Sequence, residues 1–202
     1  MAKAKPKTKK SKKKTRKSKP NYVYEFTNKR KLTKSEFLKW FQKKFLYIMR
    51  KFNMVGKNEV VGYKKANDFR TVVLEDLLKM FAEKSPVEIK NCKYSNMNKK
   101  KVDKFAVSDT SDVITNSVIK IIIKKKVMGL EDLKPVNQKK KIIRPLYLFL
   151  DKEVKLYAKL KKLKYKKLRK AKKDKITGFI EDLEKKHPEL KHSVVKTYLD
   201  LF

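Results

Sequence analysis

Two short polar segments of the 202-residue sequence are placed where a ligand could bind. Each of them, residues 64–69 and residues 108–112, directly follows a short apolar stretch that is typical of a strand. Ligands of parallel sheets bind beyond the carboxyl ends of the strands, so both segments would face one site. Lys64 and Lys65 could attract phosphate there as point charges, although lysine lacks the bidentate fork of arginine.

Metal binding and thiol chemistry have little support in the sequence. Cys92 is the single cysteine, which excludes an intrachain disulfide and a multi-cysteine zinc site. The two histidines, His187 and His192, stand beside Pro188 and are better explained by the entry of a surface helix. We therefore predict no metal site and no cofactor, and we interpret Cys92 as a buried or incidental thiol.

The charge of the chain favours a polyanionic partner. There are 58 Lys+Arg against 21 Asp+Glu, for a formal net charge of +37. Such a chain repels itself, and contact with nucleic-acid phosphates releases counterions and tightens binding. Arginine occurs only six times, so lysine enrichment by codon drift in an A·T-rich genome remains the alternative explanation.

Residues 1–20 form a basic segment with eleven Lys/Arg and no acidic residue. It cannot bury enough apolar surface to offset its ordering entropy, so we predict a disordered tail. A nuclear or nucleolar address, an RNA arm and a solubilising tail all remain open. Since no stretch reaches the roughly 18 apolar residues of a membrane span and no secretory signal is visible, we expect a reduced, cytoplasmic location.

The first predicted helix belongs to an N-terminal helical segment, residues 21–56. It begins at Thr33, whose side chain can cap the helix together with Glu36, and Gly56 provides a stop signal. Large apolar residues then recur at helical spacing, which favours core packing over base stacking. These residues are Phe37, Phe41, Phe45, Ile48 and Phe52.

The remaining pattern alternates between strands and helices. Strands are predicted at 59–63, 86–89, 104–107 and 141–146, and helices at 71–81, up to about 124, from Asp151, at 177–186 and at 188–202. Val154, Tyr157 and Ala158 should face inward on the helix that begins at Asp151. This alternation predicts an α/β fold with a small parallel sheet flanked by helices and with helical N- and C-terminal extensions.

Three segments of the sequence resemble a known protein family. The stretch Lys104-Phe-Ala-Val-Ser-Asp-Thr-Ser-Asp112 is similar to a strand and a Gly-Asp-Ser turn, with Ser108, Asp109 and Thr110 at the turn. Residues 143–146 and 151–158 match an "RPL … KEV-x-x-Y" strand and helix, and residues 180–195 match an "L-x-x-x-x-P-x-x-x-x-x-V/I" ending. The chain thereby resembles the PP-loop ATP pyrophosphatases that thiolate tRNA. It is most similar to the cytoplasmic tRNA 2-thiolation protein 2 family, the partner subunit of the eukaryotic wobble-uridine thiolase.

The loop after the first strand departs from that pattern. Active relatives carry a Ser-Gly-Gly-x-Asp-Ser loop, in which small residues let backbone N–H groups approach the pyrophosphate of ATP. This chain reads Lys64-Lys65-Ala66-Asn67-Asp68-Phe69, so that only the aspartate remains and a phenylalanine would face the site. The cysteine pairs of the catalytic thiolase are absent as well.

The resemblance implies a degenerate PP-loop-like domain over residues 57–202 that has no catalytic residue. The chain would then not be an enzyme but a non-catalytic subunit of a tRNA wobble-uridine (U34) 2-thiolation complex. It would bind tRNA and form a hetero-oligomer with a catalytic PP-loop thiolase subunit. The alternative function is a ribosome-associated or nucleolar RNA-binding protein with a basic tail.

Two further segments could contact these partners. A basic helix over 159–175 would grip the tRNA backbone, although a solvated lysine face explains it equally well. Its candidate contacts are Lys161, Lys162, Lys164, Lys166, Lys167, Arg169, Lys170, Lys172 and Lys173. The apolar stripe of the last helix could dock a partner or pack on its own domain. That stripe consists of Val194, Val195, Tyr198, Leu199 and Phe202.

Overall fold

The computed structural model describes residues 21–125, 127–166 and 175–201. The strands are β1 Tyr22–Glu25, β2 Lys31–Thr33, β3 Val60–Tyr63, β4 Glu88–Asn91, β5 Lys104–Ala106, β6 Val136–Asn137 and β7 Ile142–Ile143. The α-helices are α1 Lys34–Lys51, α2 Phe69–Ala82, α3 Ser111–Ile123, α4 Asp151–Leu160, α5 Lys175–Lys186 and α6 Leu190–Leu201. Short 3₁₀ turns lie at Tyr94–Asn96 and Val127–Leu133.

A five-stranded sheet with the order β4-β3-β5-β7-β6 organises the fold. The strands from β4 to β7 in this order pair in parallel, and β6 is an antiparallel edge strand. The prediction of an α/β fold with a small, mostly parallel sheet is therefore confirmed. After β3 the chain adds β4 at one edge of the sheet, and after β5 it adds β7 in the opposite direction. The strand order therefore reverses between β3 and β5. Such a reversal opens a crevice at the carboxyl ends of the strands.

The main core lies between one face of the sheet and the helices α1, α2 and α4. The predicted aromatic stripe of α1 is part of it, since Phe37, Phe41 and Phe45 are fully buried. Phe41 contacts Phe149 and Tyr157 with ring centroids 4.3 Å apart in both cases. The core-packing interpretation of this stripe is confirmed, as is the inward orientation of Tyr157 and its α4 neighbours.

The start of α1 follows the sequence prediction, but its end and the preceding segment do not. Thr33 and Glu36 form the predicted capping box. The helix ends at Lys51, and the left-handed residue beyond it is Asn53 (φ 45°) in place of the predicted Gly56. The hairpin β1–β2 was not predicted, because the left-handed residue in its turn is Lys29 (φ 63°) and no glycine marks it.

Two predicted elements are shorter in the structure than in the sequence analysis. The strand expected at 141–146 contains only Ile142–Ile143, because Pro145 has no N–H for a ladder and Tyr147 instead donates to the carbonyl of Arg144 (3.1 Å). The basic helix expected over 159–175 is wrong for its first part. Helix α4 ends at Leu160, and Lys162 takes a left-handed conformation (φ 55°) that closes the helix end.

The apolar stripe of α6 packs on its own domain. Val195 and Tyr198 are 1% and 2% exposed and contact Ile114 and Tyr147 in a second core cluster. The idea that this stripe docks a partner is therefore wrong for its described residues, because α3 already covers them. Phe202 lies outside the described residues.

Candidate functional site

The two polar segments singled out in the sequence meet at the crevice between β3 and β5. The strands run in parallel register, with Val61 opposite Lys104 and Tyr63 opposite Ala106, so their carboxyl ends lie at the same edge. The hydroxyl of Thr71, at the start of α2, is 3.3 Å from that of Ser108. Both segments therefore follow strands that end at the same edge of the sheet, and Thr71 links the start of α2 to the turn after β5.

The loop after β3 is organised by Asp68, which caps α2. Its carboxylate accepts hydrogen bonds from the main-chain N–H groups of Arg70 (3.0 Å) and Thr71 (3.1 Å) and from the Thr71 hydroxyl (2.6 Å). A carboxylate at this position satisfies the free N–H groups and the positive end of the helix dipole. The chain therefore fills with its own side chain the place where a helix start could hold an external anion.

The lysines of this loop point into solvent. Lys64 and Lys65 are both exposed, and the main-chain N–H of Lys65 donates to the side-chain oxygen of Asn91 (3.1 Å), which ties the loop to the end of β4. Phe69 was expected to face the site, but it is 4% exposed and belongs to the core. The loop thus has two exposed positive charges at its surface and a buried ring below them.

An ion pair that sequence reasoning missed spans the crevice. The guanidinium of Arg70 binds the carboxylate of Asp151 in a bidentate manner, with the Nε–Oδ1 distance at 2.7 Å. Thr110 donates to the same carboxylate (2.7 Å), and the main-chain N–H of Asp151 donates to Asp112 (2.7 Å). Burial by itself would raise the pKa of Asp151, but the hydrogen bond and charge of Arg70 outweigh it and lower that pKa. Asp151 is thereby held as a carboxylate that joins α2, α3 and α4.

The turn after β5 is also fixed by an arginine. The Nε of Arg144 donates to Asp109 (3.0 Å), and a terminal nitrogen of the same guanidinium donates to the carbonyl of Lys134 (2.7 Å). Thr110 is fully buried, and the hydroxyl of Ser111 donates to the carbonyl of Tyr147 (2.8 Å). Ser108, Asp109 and Thr110 form the turn between β5 and α3, and the buried Arg144 holds Asp109 in it.

The basic tract that follows α4 returns to the same crevice. The main-chain N–H of Lys166 donates to the carbonyl of Asn67 (2.7 Å), and the Tyr165 ring lies 6.2 Å from that of Phe69. Lys161 is exposed but lies 3.7 Å from Asp76, and the other described lysines of this stretch are also solvent-exposed. Those exposed residues are Lys162, Lys164 and Lys166. The predicted contacts Lys167, Arg169, Lys170, Lys172 and Lys173 lie outside the described residues.

The thiol and the histidines stand apart from this site. Cys92 is 6% exposed and packs behind β3, where its sulfur would lie 2.9 Å from a Cβ at Gly62. His187 is exposed and lies 3.9 Å from Glu189. Across the ranges 21–125, 127–166 and 175–201, no group of three His, Cys, Asp or Glu side chains could hold a metal ion. Within the same ranges no helix is both long and apolar enough to cross a membrane.

Comparison with known proteins gives a relationship at the level of the fold. No family model matches the sequence, and no curated protein matches it. The structure is similar to that of the U34-tRNA thiolase NcsA from Methanococcus maripaludis, solved with its [4Fe-4S] cluster. The TM-score is 0.69 at 19% sequence identity, over 89% of this chain and 84% of that chain. This chain therefore has the fold of a tRNA thiolase over nearly its whole length.

The comparison overturns the prediction that the chain is not an enzyme. The structure that shares its fold is that of a thiolase, which is an enzyme, and nothing among the described residues shows that catalysis has been lost. That prediction depended on the missing glycines and serines of one loop and on the absence of the cysteine pairs. The carboxylates of Asp68, Asp109 and Asp151 nevertheless remain in place around the crevice.

The [4Fe-4S] cluster of that thiolase does not fit the donor set of this chain. Such clusters are held by cysteine thiolates. This sequence contains one cysteine, and Cys92 is buried in the packing between β3 and the segment that follows β4.

Proposed function

We propose that this chain acts in the 2-thiolation of the wobble uridine of tRNA, where it binds tRNA and works with a PP-loop thiolase subunit. The observation that carries the proposal is the contact between Lys166 and Asn67, which brings the basic tract to the crevice at the strand ends. The likeness in fold to a tRNA thiolase supports the same reaction. The three sequence segments that resemble the tRNA 2-thiolation protein 2 family support the partnership.

The described part of the basic tract has the properties of a backbone-binding surface. Lys162, Lys164 and Lys166 are exposed, and none of them has a carboxylate within ion-pair distance among the described residues. Contacts of this kind position an RNA without reading its sequence. A strand of tRNA held along residues 162–166 would pass the mouth of the crevice, where Lys64 adds a further positive charge.

The floor of the crevice would give this surface a fixed geometry. The bidentate pair of Arg70 with Asp151 joins α2 to α4, and the basic tract starts where α4 ends. Since charged hydrogen bonds with two parallel contacts fix orientation as well as distance, the tract would keep a constant position relative to the loop at Asp68. Asp109 would stand at the opposite rim, held by Arg144.

Purification of the full chain from its own cells tests this proposal. Tagged protein should recover tRNA together with a protein that contains a Ser-Gly-Gly-x-Asp-Ser loop. A triple variant with Lys162→Gln, Lys164→Gln and Lys166→Gln should recover less tRNA than the wild type. A second variant with the exposed Lys57→Gln and Lys84→Gln controls for the loss of positive charge elsewhere on the surface. Recovery of pre-ribosomal particles without tRNA or a PP-loop protein would contradict the proposal.

A further inference from the structure

The outer face of α1 presents a regular stripe of basic and aromatic side chains. Lys39, Lys43 and Tyr47 follow one another at intervals of four residues, so they lie on the same face, and all three are exposed. Tyr47 is 54% exposed although it is a large ring. The stripe borders an open groove of about 520 Å³, which we call the α1 groove. Its other lining residues are Arg30, Leu32, Glu36, Trp40 and Lys44.

The lining of the α1 groove contains more basic than acidic side chains, namely Arg30, Lys39, Lys43 and Lys44 against Glu36. Glu36, the single carboxylate in the lining, accepts hydrogen bonds from the main-chain N–H and the hydroxyl of Thr33, both at 2.8 Å. The hydrogen bond from that N–H also lowers the pKa of Glu36. Lys44 is engaged by Glu153 (3.0 Å). The charge of Lys39 acts on Glu36, but neither Lys39 nor Lys43 has a carboxylate within ion-pair distance among the described residues. The excess of basic side chains therefore attracts anions to the groove.

The floor of the groove is a packed aromatic cluster around Trp40. The Trp40 ring stacks on Tyr24 at 5.7 Å and meets Phe26 edge-on at 5.1 Å, and the Lys44 ammonium lies 4.9 Å from its centroid. Tyr47 lies outside this cluster. The ammonium group of Lys51 is 5.9 Å from the centre of its ring. The groove thus combines a fixed floor with one solvent-exposed ring.

The stripe of Lys39, Lys43 and Tyr47 is not part of the core. The opposite face supplies the core contacts, since Phe41 and Phe45 are fully buried against the rest of the domain. Exposed aromatic rings flanked by lysines are the composition of single-strand binding surfaces, where bases stack on rings and phosphates contact cations. Bases in a duplex are already stacked and cannot reach such a ring, and an acidic peptide would use the lysines without the ring.

We propose that the α1 groove binds single-stranded RNA, with one base stacked on Tyr47 and the flanking phosphates on Lys39 and Lys43. The inference depends on an RNA partner, as the proposed function does, but it concerns a second surface on a different element. An unpaired region of a bound RNA, such as a loop, would occupy it.

Binding of an oligouridine of roughly 12 nucleotides to the full chain tests this assignment by fluorescence anisotropy. Tyr47→Ala should weaken binding at least about fivefold, the lower end of the effect of losing one base–aromatic stack, whereas Tyr47→Phe should bind like the wild type. Tyr22→Ala, which removes another exposed ring (51% exposed), is the matched control and should have no such effect. The double change Lys39→Gln and Lys43→Gln should flatten the slope of log affinity against log salt by about 1.4. Lys57→Gln with Lys84→Gln should leave it nearly unchanged.

Three outcomes would overturn the assignment. The first is a Tyr47→Ala protein that binds oligouridine within about twofold of the wild type, which is below the smallest stacking effect. The second is an RNA duplex whose affinity falls by the same factor on Tyr47→Ala. The third is a polyglutamate peptide whose binding is weakened to the same extent by Tyr47→Ala. The groove would then be a site for an acidic protein segment. All three concern the purified chain, so they leave the result of a thiolation measurement in cells unaffected.

Discussion

The main-chain N–H of Lys166 donates a hydrogen bond of 2.7 Å to the carbonyl of Asn67, although the two residues are far apart in the sequence. This bond attaches the basic tract after α4 to the loop after β3. Two segments that the sequence suggested for different reasons, one for RNA and one for phosphate, are thereby neighbours.

Removing the exposed charges of the basic tract should change how tRNA binding depends on salt. The triple variant Lys162→Gln, Lys164→Gln and Lys166→Gln removes three cations, each worth about 0.7 to 0.9 in the slope of log affinity against log salt. The slope should flatten by about 2 to 3 relative to the wild type. Filter binding of tRNA over a series of salt concentrations measures it, with Lys57→Gln and Lys84→Gln as the control. An unchanged slope in the triple variant would mean that these lysines form only a solvated face.

Loss of the Asp151 charge should destabilise the fold. Asp151→Asn leaves Arg70 without its carboxylate at a mostly buried position, and hydrogen bonds to charged groups contribute about 1.5 to 3 kcal/mol each. We expect the free energy of unfolding at neutral pH to fall by about 2 kcal/mol, measured by urea denaturation. Lys31→Gln breaks the pair with Glu25, in which both side chains are about half exposed, and should cost less than about 0.5 kcal/mol. Equal losses of unfolding free energy in the two variants would show that the Arg70–Asp151 pair stabilises the fold no more than a surface ion pair does.

The stabilisation of the fold by Asp151 should also depend on pH. Its pKa in the folded chain is lowered, so its contribution is complete above the ordinary aspartate pKa of about 3.9 and is lost as the pH falls through the lower folded pKa. The difference in unfolding free energy between wild type and Asp151→Asn should therefore be constant near neutral pH. It should narrow at pH values below about 4. Urea denaturation at a series of pH values tests this, and a gap that widens in acid would be inconsistent with an ionised Asp151.

Gly62 in β3 should not tolerate a side chain. A Cβ there would lie 2.8 Å from Val102 Cγ1 and 2.9 Å from Cys92 Sγ, and both neighbours are buried. Gly62→Ala should lower the free energy of unfolding by about 1 to 3 kcal/mol through overpacking. Gly178 in α5 has no atom within 4 Å of such a Cβ, so Gly178→Ala should stabilise by about 0.5 to 1 kcal/mol. Thermal or urea unfolding measures the stability of both variants. An unchanged stability of Gly62→Ala would show that the segment around Cys92 can move to make room for the methyl group.

Strong local periodicity made part of the fold predictable. The four-residue spacing of Phe37, Phe41 and Phe45 requires a buried helix face, and the Thr33–Glu36 pair marks its start through local hydrogen bonds. The parallel sheet followed from short apolar strands that alternate with helices. These features depend on neighbours within a few residues, which a sequence displays directly.

The contacts that build the candidate site depend on distant residues. Arg70 and Asp151 are 81 positions apart, and nothing near either residue indicates the other, although an arginine in so lysine-rich a chain was a usable signal. The end of α4 was missed because the left-handed position is occupied by Lys162, without the glycine or proline that usually marks it. The prediction that the chain is not an enzyme was wrong because it relied on the residues of one loop and on the absent cysteine pairs, whereas the likeness to a thiolase lies in the fold around them.

The level of 2-thiouridine at the wobble position of tRNA tests the proposed function most directly. Mass spectrometry of tRNA from cells depleted of this protein should show a fall in that modification, which the wild-type chain restores. The triple variant Lys162→Gln, Lys164→Gln and Lys166→Gln should restore less, because tRNA would no longer be held against the crevice. An unchanged level of wobble 2-thiouridine after depletion would contradict a role in tRNA thiolation.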